Sequence, residues 1–356
     1  MSGLSAIKTK LDASADLSEE EATRLAQAFL QPISVEEKVA LLRSLSKKGE
    51  SAVELGSFAK HYQGLATDPG VGGYADRAID VCGTGGDGAE TFNISSTVSF
   101  IVAAAGIPVF KHGNRSITSK CGSADLLESL GIRLDLTGAE IKHSLQKFNY
   151  AFFFAPNYHP AFRAVAETRK VLAQLGERSI FNLLGPLINP GKPAFQLIGV
   201  FAPKVIELYA QAMNHLALKS GAAVSCRVSE QQALDELSCA GENIISPVGK
   251  ASASLEEVPD LADLGLIPCD LSDLRGGDIN TNRTMLEKLL NGGWSDLPQG
   301  LIDTVLLNAG LALSLASQGL SLKEGIDKAA ELLQNGAVAK WLEGFTDFNA
   351  SLRKDG

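Results

Sequence analysis

The chain has 356 residues, 45% hydrophobic and 21% charged, with a formal net charge of -9. That length exceeds the usual single domain and predicts two lobes, and the composition excludes a disordered chain. The negative balance argues against nonspecific nucleic-acid binding, which needs clustered Lys and Arg to displace counterions from phosphates.

Five cysteines without CxxC spacing suit a reducing compartment rather than a disulfide scaffold. No cationic N-terminus leads into an apolar stretch, so the expectation is a cytoplasmic protein without a signal peptide. The apolar runs 100–110 and 301–320 are interrupted by Gly106 and Pro108, and by Asp303 and Asn308, and read as core elements with no membrane span.

Residues 1 to about 65 carry helix-period apolar positions, with a helix opening at Leu17-Ser18-Glu19-Glu20-Glu21 and a capping-box match at Ser34-Val35-Glu36-Glu37. The Gly/Pro-rich stretch 67–74, TDPGVGGY, marks a lobe boundary. Runs 78–81, 107–110, 150–154, 196–201 and 222–228 read as strands, with helical patterns between several of them.

A second capping-box match falls at Thr137–Glu140, and Gly106 and Gly131 stand where glycines end helices. The interval 256–277 predicts irregular structure. From 281 onward the chain reads helical, with turns at Gly292-Gly293 and Asn335-Gly336 and a capping box at Ser321–Glu324. Alternating strands and helices predict an α/β fold: a small helical N-terminal domain beside a larger domain with a mainly parallel sheet.

Between Asp80 and Asp125 lie a strand, a glycine-rich turn (Gly83, Gly85, Gly86, Gly88), a helix start, a second strand and a second polar loop. Glycines let backbone N–H groups turn toward an anion, and the N-terminus of the following helix adds orphan donors and a favourable dipole. Asn93, Ser95 and Ser96 are candidate caps of that helix. Taken alone, GTGGD reads equally as a tight turn before an ordinary cap.

Lys111, His112, Gly113, Asn114 and Arg115 follow the next strand, at the carboxyl end where open α/β sheets bind ligands. Neither GxxxxGK[ST] nor GxGxxG is present. Asp235-Glu236 offers hard oxygens for Mg²⁺, but Glu36-Glu37 and Glu256-Glu257 are similar pairs.

The ordered segments GTGGD, TFNIS, KHGNRS, GSAD, APNYHPAF and RSIFNLLGPLINP resemble the successive signatures of the anthranilate phosphoribosyltransferase family over nearly the whole chain. The resemblance implies the nucleoside phosphorylase and phosphoribosyltransferase fold class, with a helical domain at 1–72, joined by helices around 160–190 and used for homodimerisation, and an α/β domain at 73–356. It implies a donor site for phosphoribosyl pyrophosphate at Gly83, Gly86, Asp87, Thr91, Asn93, Ile94, Ser95, Ser96, Lys111, Ser119 and Ser123.

It also implies an anthranilate site at Gly83, His112, Asn114, Arg169, Gly185 and Pro186, Mg²⁺ on Ser95, Asp235 and Glu236, and Lys111 and Asn114 as catalytic residues. The implied reaction gives N-(5-phosphoribosyl)anthranilate and pyrophosphate in tryptophan biosynthesis, and Lys111→Ala is expected to lower turnover far more than it disturbs folding. Between Arg169 and Arg178 the chain is a few residues longer than the family pattern, Glu167-Thr168 replaces Pro-Val, Ser96 stands for Thr and Ala233 for Gly. These departures leave open a related enzyme with another acceptor, a phosphorylase, or a noncatalytic nucleic-acid-binding paralogue.

Overall fold

The computed structural model describes residues 2–115, 120–253, 255, 257–317 and 319–352. Four helices come first: α1 (Ser2–Asp12), α2 (Glu19–Ala28), α3 (Val35–Lys48) and α4 (Ala52–Gly64). Ser18, Ser34 and Ser51 stand at the last three N-caps, each accepting from the N–H three residues on; Glu21 and Glu54 return the bond, whereas the box expected at Ser34 is made by the serine alone. Glu54 is fully buried and accepts from Leu17 N at 2.9 Å, Ser51 N at 2.7 Å and Lys48 Nζ at 2.8 Å, the compensation a buried carboxylate requires.

The apolar face of these helices does not close on itself. Leu25, Phe29, Leu42, Phe58 and Tyr62 share one core with Ile180, Phe181 and Tyr209, and Phe162 packs against it. Phe29 meets Phe181 with ring centroids 5.6 Å apart, and Tyr62 meets Phe162 at 5.3 Å.

After α5 (Gly72–Ala75) come β1 (Ile79–Gly83), α6 (Ile94–Ala104), β2 (Val109–Gly113), α7 (Ser123–Ser129), α8 (Gly138–Phe148), β3 (Tyr150–Phe154), α9 (Ala155–Tyr158), α10 (Ala166–Gln174), β4 (Phe195–Gly199), α11 (Ile206–His215) and β5 (Ser220–Arg227). Short β6 (Ala233–Leu234) and β7 (Glu242–Gly249) follow, then α12 (Ile279–Leu290), α13 (Gln299–Ala316), α14 (Leu322–Gln334) and α15 (Ala337–Ser351). All five expected strands form; β6 and β7 were not anticipated.

The sheet order is β3-β2-β1-β4-β5-β6 with β7 also on β5; the first four pairings are parallel, and β6 and β7 run antiparallel to β5. Helices cover the parallel part, so its strands are buried almost throughout. By length and composition α13 matches a membrane span, yet it is a core helix, 83% buried. Its polar residues are spoken for: Asp303 accepts from Ile267 N, Thr304 from Cys239 N, and Asn308 exchanges bonds with the Leu237 backbone.

Candidate active site

Because β1, β2 and β4 are parallel, their carboxyl ends share one edge, with Gly83 in register with Gly199. A Cβ on Gly199 would coincide with the Asp235 carbonyl oxygen and stand 3.1 Å from Glu236 N; one on Gly83 would strike the Asp235 carboxylate. Two glycines thus let the turn after β6 lie across the strand ends. This brings Asp235 to the GTGGD loop, where Gly85 N donates to its Oδ2 at 2.6 Å.

Loss of hydration first, then repulsion from Asp87, raises the Asp235 carboxyl; Glu236 is pushed well above the usual range by burial and then by Asp235 and Asp87. The buried Asp87 Oδ2, Ser96 Oγ and Glu236 Oε1 lack hydrogen-bond partners among the described residues. Hard, orphaned oxygens of this kind fit Mg²⁺. Among the described residues no three acidic, His or Cys side chains close around one point.

Gly85, Gly86 and Gly88 have φ of +65°, +81° and +70°, and a Cβ on Gly85 or Gly88 would meet nothing within 4 Å. The loop is open and its conformation favours glycine. The expected side-chain cap of α6 does not form. Asn93 is the N-cap residue, but its amide donates to Cys121 O at 3.0 Å and its oxygen accepts from Asn282 at 2.8 Å, tying the first loop to the second and to α12. Ile94 N already donates to Phe92 O at 2.7 Å, so the N–H groups of Ser95 and Ser96 are the ones this eleven-residue helix leaves for an anion.

Ile94 and Ser96 are buried beneath, and Thr91 pairs with Arg275 and hydrogen-bonds Glu236. Ser123 opens α7 and donates to Asn114 O at 3.3 Å. Ser119 lies outside the described residues.

Lys111 corrects an expectation. It is 2% exposed, and its ammonium donates to Val81 O at 2.7 Å and Ser95 Oγ at 3.3 Å beneath the loop rather than standing at the rim. Burial lowers its pKa, while Asp80 opposes the shift. Lys111→Ala would strip a buried carbonyl of its donor as well as the site of a charge, so it is expected to lower the Tm along with turnover, which thermal melting and the rate assay would measure together.

At the end of β2, His112 Nε2 lies 3.1 Å from His159 Nε2, and His112 also hydrogen-bonds the Gly185 backbone. The His159 ring is 5.9 Å from Phe162, and the Arg169 guanidinium lies over Phe162 at 5.5 Å. The extra residues are taken up by α10, which continues to Gln174, and by a reversal at Gly176, φ +70°, with Glu177 N donating to Leu172 O at 2.9 Å. Arg169 makes no ion pair among the described residues.

Pro186 is buried with its carbonyl accepting from Gln196 at 2.6 Å, and Asn114 is exposed with its oxygen accepting from Arg115 N at 2.8 Å. The sequence reading missed His159 and Phe162, although both lie in the quoted segment APNYHPAF. It also missed Asp80, held by Asn189 at 2.9 Å beneath His112, and Asn189 itself, in the quoted LINP.

Burial lowers His112 to about 3 and His159 to about 4, and raises Asp80 to about 6. Folded histidines of depressed pKa hold fewer protons than unfolded ones. Their contribution is therefore complete above roughly pH 6.5 and is lost as pH falls toward 4, while Asp80 acts with the opposite sign. His159→Gln is expected to flatten the loss of Tm between pH 7 and 5 relative to wild type; parallel Tm curves would contradict the neutral pair.

Fold and site together define an α/β transferase with a helical lobe, and the family model described as "Glycosyl transferase family, a/b domain" matches residues 75–339. A protein from Desulfatibacillum aliphaticivorans named anthranilate phosphoribosyltransferase is 38% identical over 95% of this chain and 96% of its own. The crystal structure of anthranilate phosphoribosyltransferase from Thermus thermophilus superposes with a TM-score of 0.84 at 34% identity, covering 97% of this chain and 99% of that one. The chain belongs to the anthranilate phosphoribosyltransferase family. The fold extends to the Saccharomyces cerevisiae enzyme, whose structure is described as in complex with PRPP and Mg, at a TM-score of 0.80 and 24% identity, covering 98% of each chain.

Proposed function

We propose that the chain transfers the 5-phosphoribosyl group of phosphoribosyl pyrophosphate to the amine of anthranilate, releasing pyrophosphate, as a step of tryptophan biosynthesis. One observation carries the reading: an open glycine loop and a helix N-terminus without a side-chain cap lie at a sheet edge from which His112, His159 and Phe162 lead in successive contacts to the Arg169 guanidinium.

The donor side comprises Gly83, Gly86, Asp87, Thr91, Asn93, Ile94, Ser95, Ser96 and Ser123, with N–H groups of the loop and of α6 meeting phosphate oxygens. Lys111 holds Ser95 from below and supplies the positive potential under the leaving group. Mg²⁺ on Ser95, Asp235 and Glu236 would neutralise charge on the diphosphate. The acceptor side comprises Gly83, His112, Asn114, Arg169, Gly185 and Pro186, with the Arg169 fork matched to a planar carboxylate. An aromatic amine is neutral at physiological pH, so attack on the anomeric carbon needs positioning more than a strong base.

The same reading takes residues 1–72 with the helices around 160–190 as the smaller lobe and 73–356 as the larger, with homodimerisation through the former and a cytoplasmic location. Sedimentation of the purified chain measures the dimer.

The decisive assay follows loss of anthranilate fluorescence and release of pyrophosphate with donor and Mg²⁺, against a panel of other aromatic amines and nucleosides. Turnover specific to anthranilate is expected; preference for a nucleoside with phosphate would replace this reading by a phosphorylase. Arg169→Ala is expected to raise the anthranilate KM by about 10- to 100-fold, the loss of a charge-assisted pair, with the donor KM little changed.

A further inference from the structure

We infer that Arg178 is an additional donor-binding residue whose guanidinium grips the diphosphate above the glycine loop, an inference that rests on the transfer reaction just described. Arg178 lies just past the lengthened turn, immediately before the buried Ser179 and Ile180. Its guanidinium carbon sits 5.0 Å from the centroid of the Phe201 ring. It also stands against the loop, since a Cβ on Gly86 would lie 3.3 Å from its Nη2.

Platform, cation and loop are tied together. Phe201 N donates to Thr84 Oγ1 at 3.0 Å, and Thr84 N donates to Gly199 O at 2.9 Å. From the helical lobe, Ser46 Oγ of α3 donates to Arg178 O at 3.3 Å, and Arg43 makes a two-pronged pair with the adjacent Glu177 at 2.7 and 2.8 Å. Fixing the backbone on one side and the guanidinium plane on the other lowers the entropy lost when the fork engages a ligand.

Arg178 makes no ion pair among the described residues, whereas Arg115 pairs with Glu128 and Asp125, and Lys120 with Glu90. An exposed, unpaired guanidinium beside an open loop of N–H groups suits an oxyanion that accepts two parallel bonds. The diphosphate fits this position better than the acceptor carboxylate. The acceptor's cation, Arg169, rests on a different ring, Phe162, at the His159 end of the site. When the glycosidic bond to the diphosphate breaks, its electron pair stays on the departing oxygen, and a fork at Gly86 meets that growing charge.

The test is steady-state kinetics on full-length Arg178→Ala and Arg178→Lys with phosphoribosyl pyrophosphate, anthranilate and Mg²⁺, together with product inhibition by pyrophosphate. For the alanine variant the donor KM is expected to rise about tenfold or more and pyrophosphate inhibition to weaken by a similar factor, with the anthranilate KM within about twofold and lysine intermediate. Unchanged donor KM and pyrophosphate inhibition in a folded alanine variant, or a rise confined to the anthranilate KM, would overturn the assignment. Wild-type turnover in the same assay separates the two levels: an inactive wild type refutes the reaction, while an active wild type matched by Arg178→Ala refutes only the role of Arg178.

Discussion

Glu236→Gln is expected to lower kcat/KM for the donor by about 100-fold or more while leaving the metal-free protein at least as stable as wild type. Glu236 is 8% exposed, its Oε1 has no partner among the described residues, and burial with Asp235 and Asp87 nearby raises its pKa far above the ordinary value. A carboxyl of raised pKa holds its proton more tightly folded than unfolded. Its cost to stability is absent below the unfolded pKa, near 4.3, and grows as pH rises toward the folded one.

Glutamine removes that cost, so the metal-free variant should lose less stability between pH 5 and 8 and melt higher than wild type near pH 8. Wild type should in turn gain Tm on adding Mg²⁺ at pH 8, and the variant should not. Paired activity and melting measurements decide it. A variant that melts well below wild type without metal would mean Glu236 is a structural acid, and full activity would remove it from the site.

Gly199→Ala, a change of one methyl group, is expected to be as damaging as loss of an acid. The added carbon would fall on the Asp235 carbonyl oxygen and crowd Glu236 N. Backbone, not a flexible side chain, blocks the space, so either β4 or the acidic turn must move. Overpacking of this kind costs about 1–3 kcal/mol, and displacement of a reacting group by about 1 Å can cost a further 100-fold in rate. The expected result is a Tm several degrees lower and no thermal response to Mg²⁺. Near-normal turnover would show that the acidic turn is not held against β4.

What was legible beforehand was local. The five strands β1 to β5 announce themselves as short apolar runs, and Thr137 and Ser321 begin helices with complete capping boxes. β7 was not legible because it is an antiparallel partner of β5 whose residues are mostly half-buried, with Ser246 and Pro247 inside it breaking the pattern of a strand. The depth of Lys111 was hidden for a related reason: in a sheet covered on both faces a lysine is buried whichever way it points.

The loops GTGGD and KHGNRS suggested their chemistry by composition. Asp235-Glu236 did not, since it differs from other acid pairs only in being admitted to the strand ends by Gly83 and Gly199, a relation spanning more than thirty residues. Asn93 looked like a cap because its type and place were right, but Cys121 and Asn282 compete for its amide and win.

Tyr62 of α4 packs edge-on against Phe162, the ring beneath Arg169, and Lys38 of α3 donates to Ala164 O at 2.8 Å. On the proposed reading of Arg169 as an acceptor residue, its aromatic support therefore rests partly on the N-terminal helices. On that reading a change of acceptor has a route through α3 and α4, which mutagenesis confined to the surroundings of Arg169 would overlook.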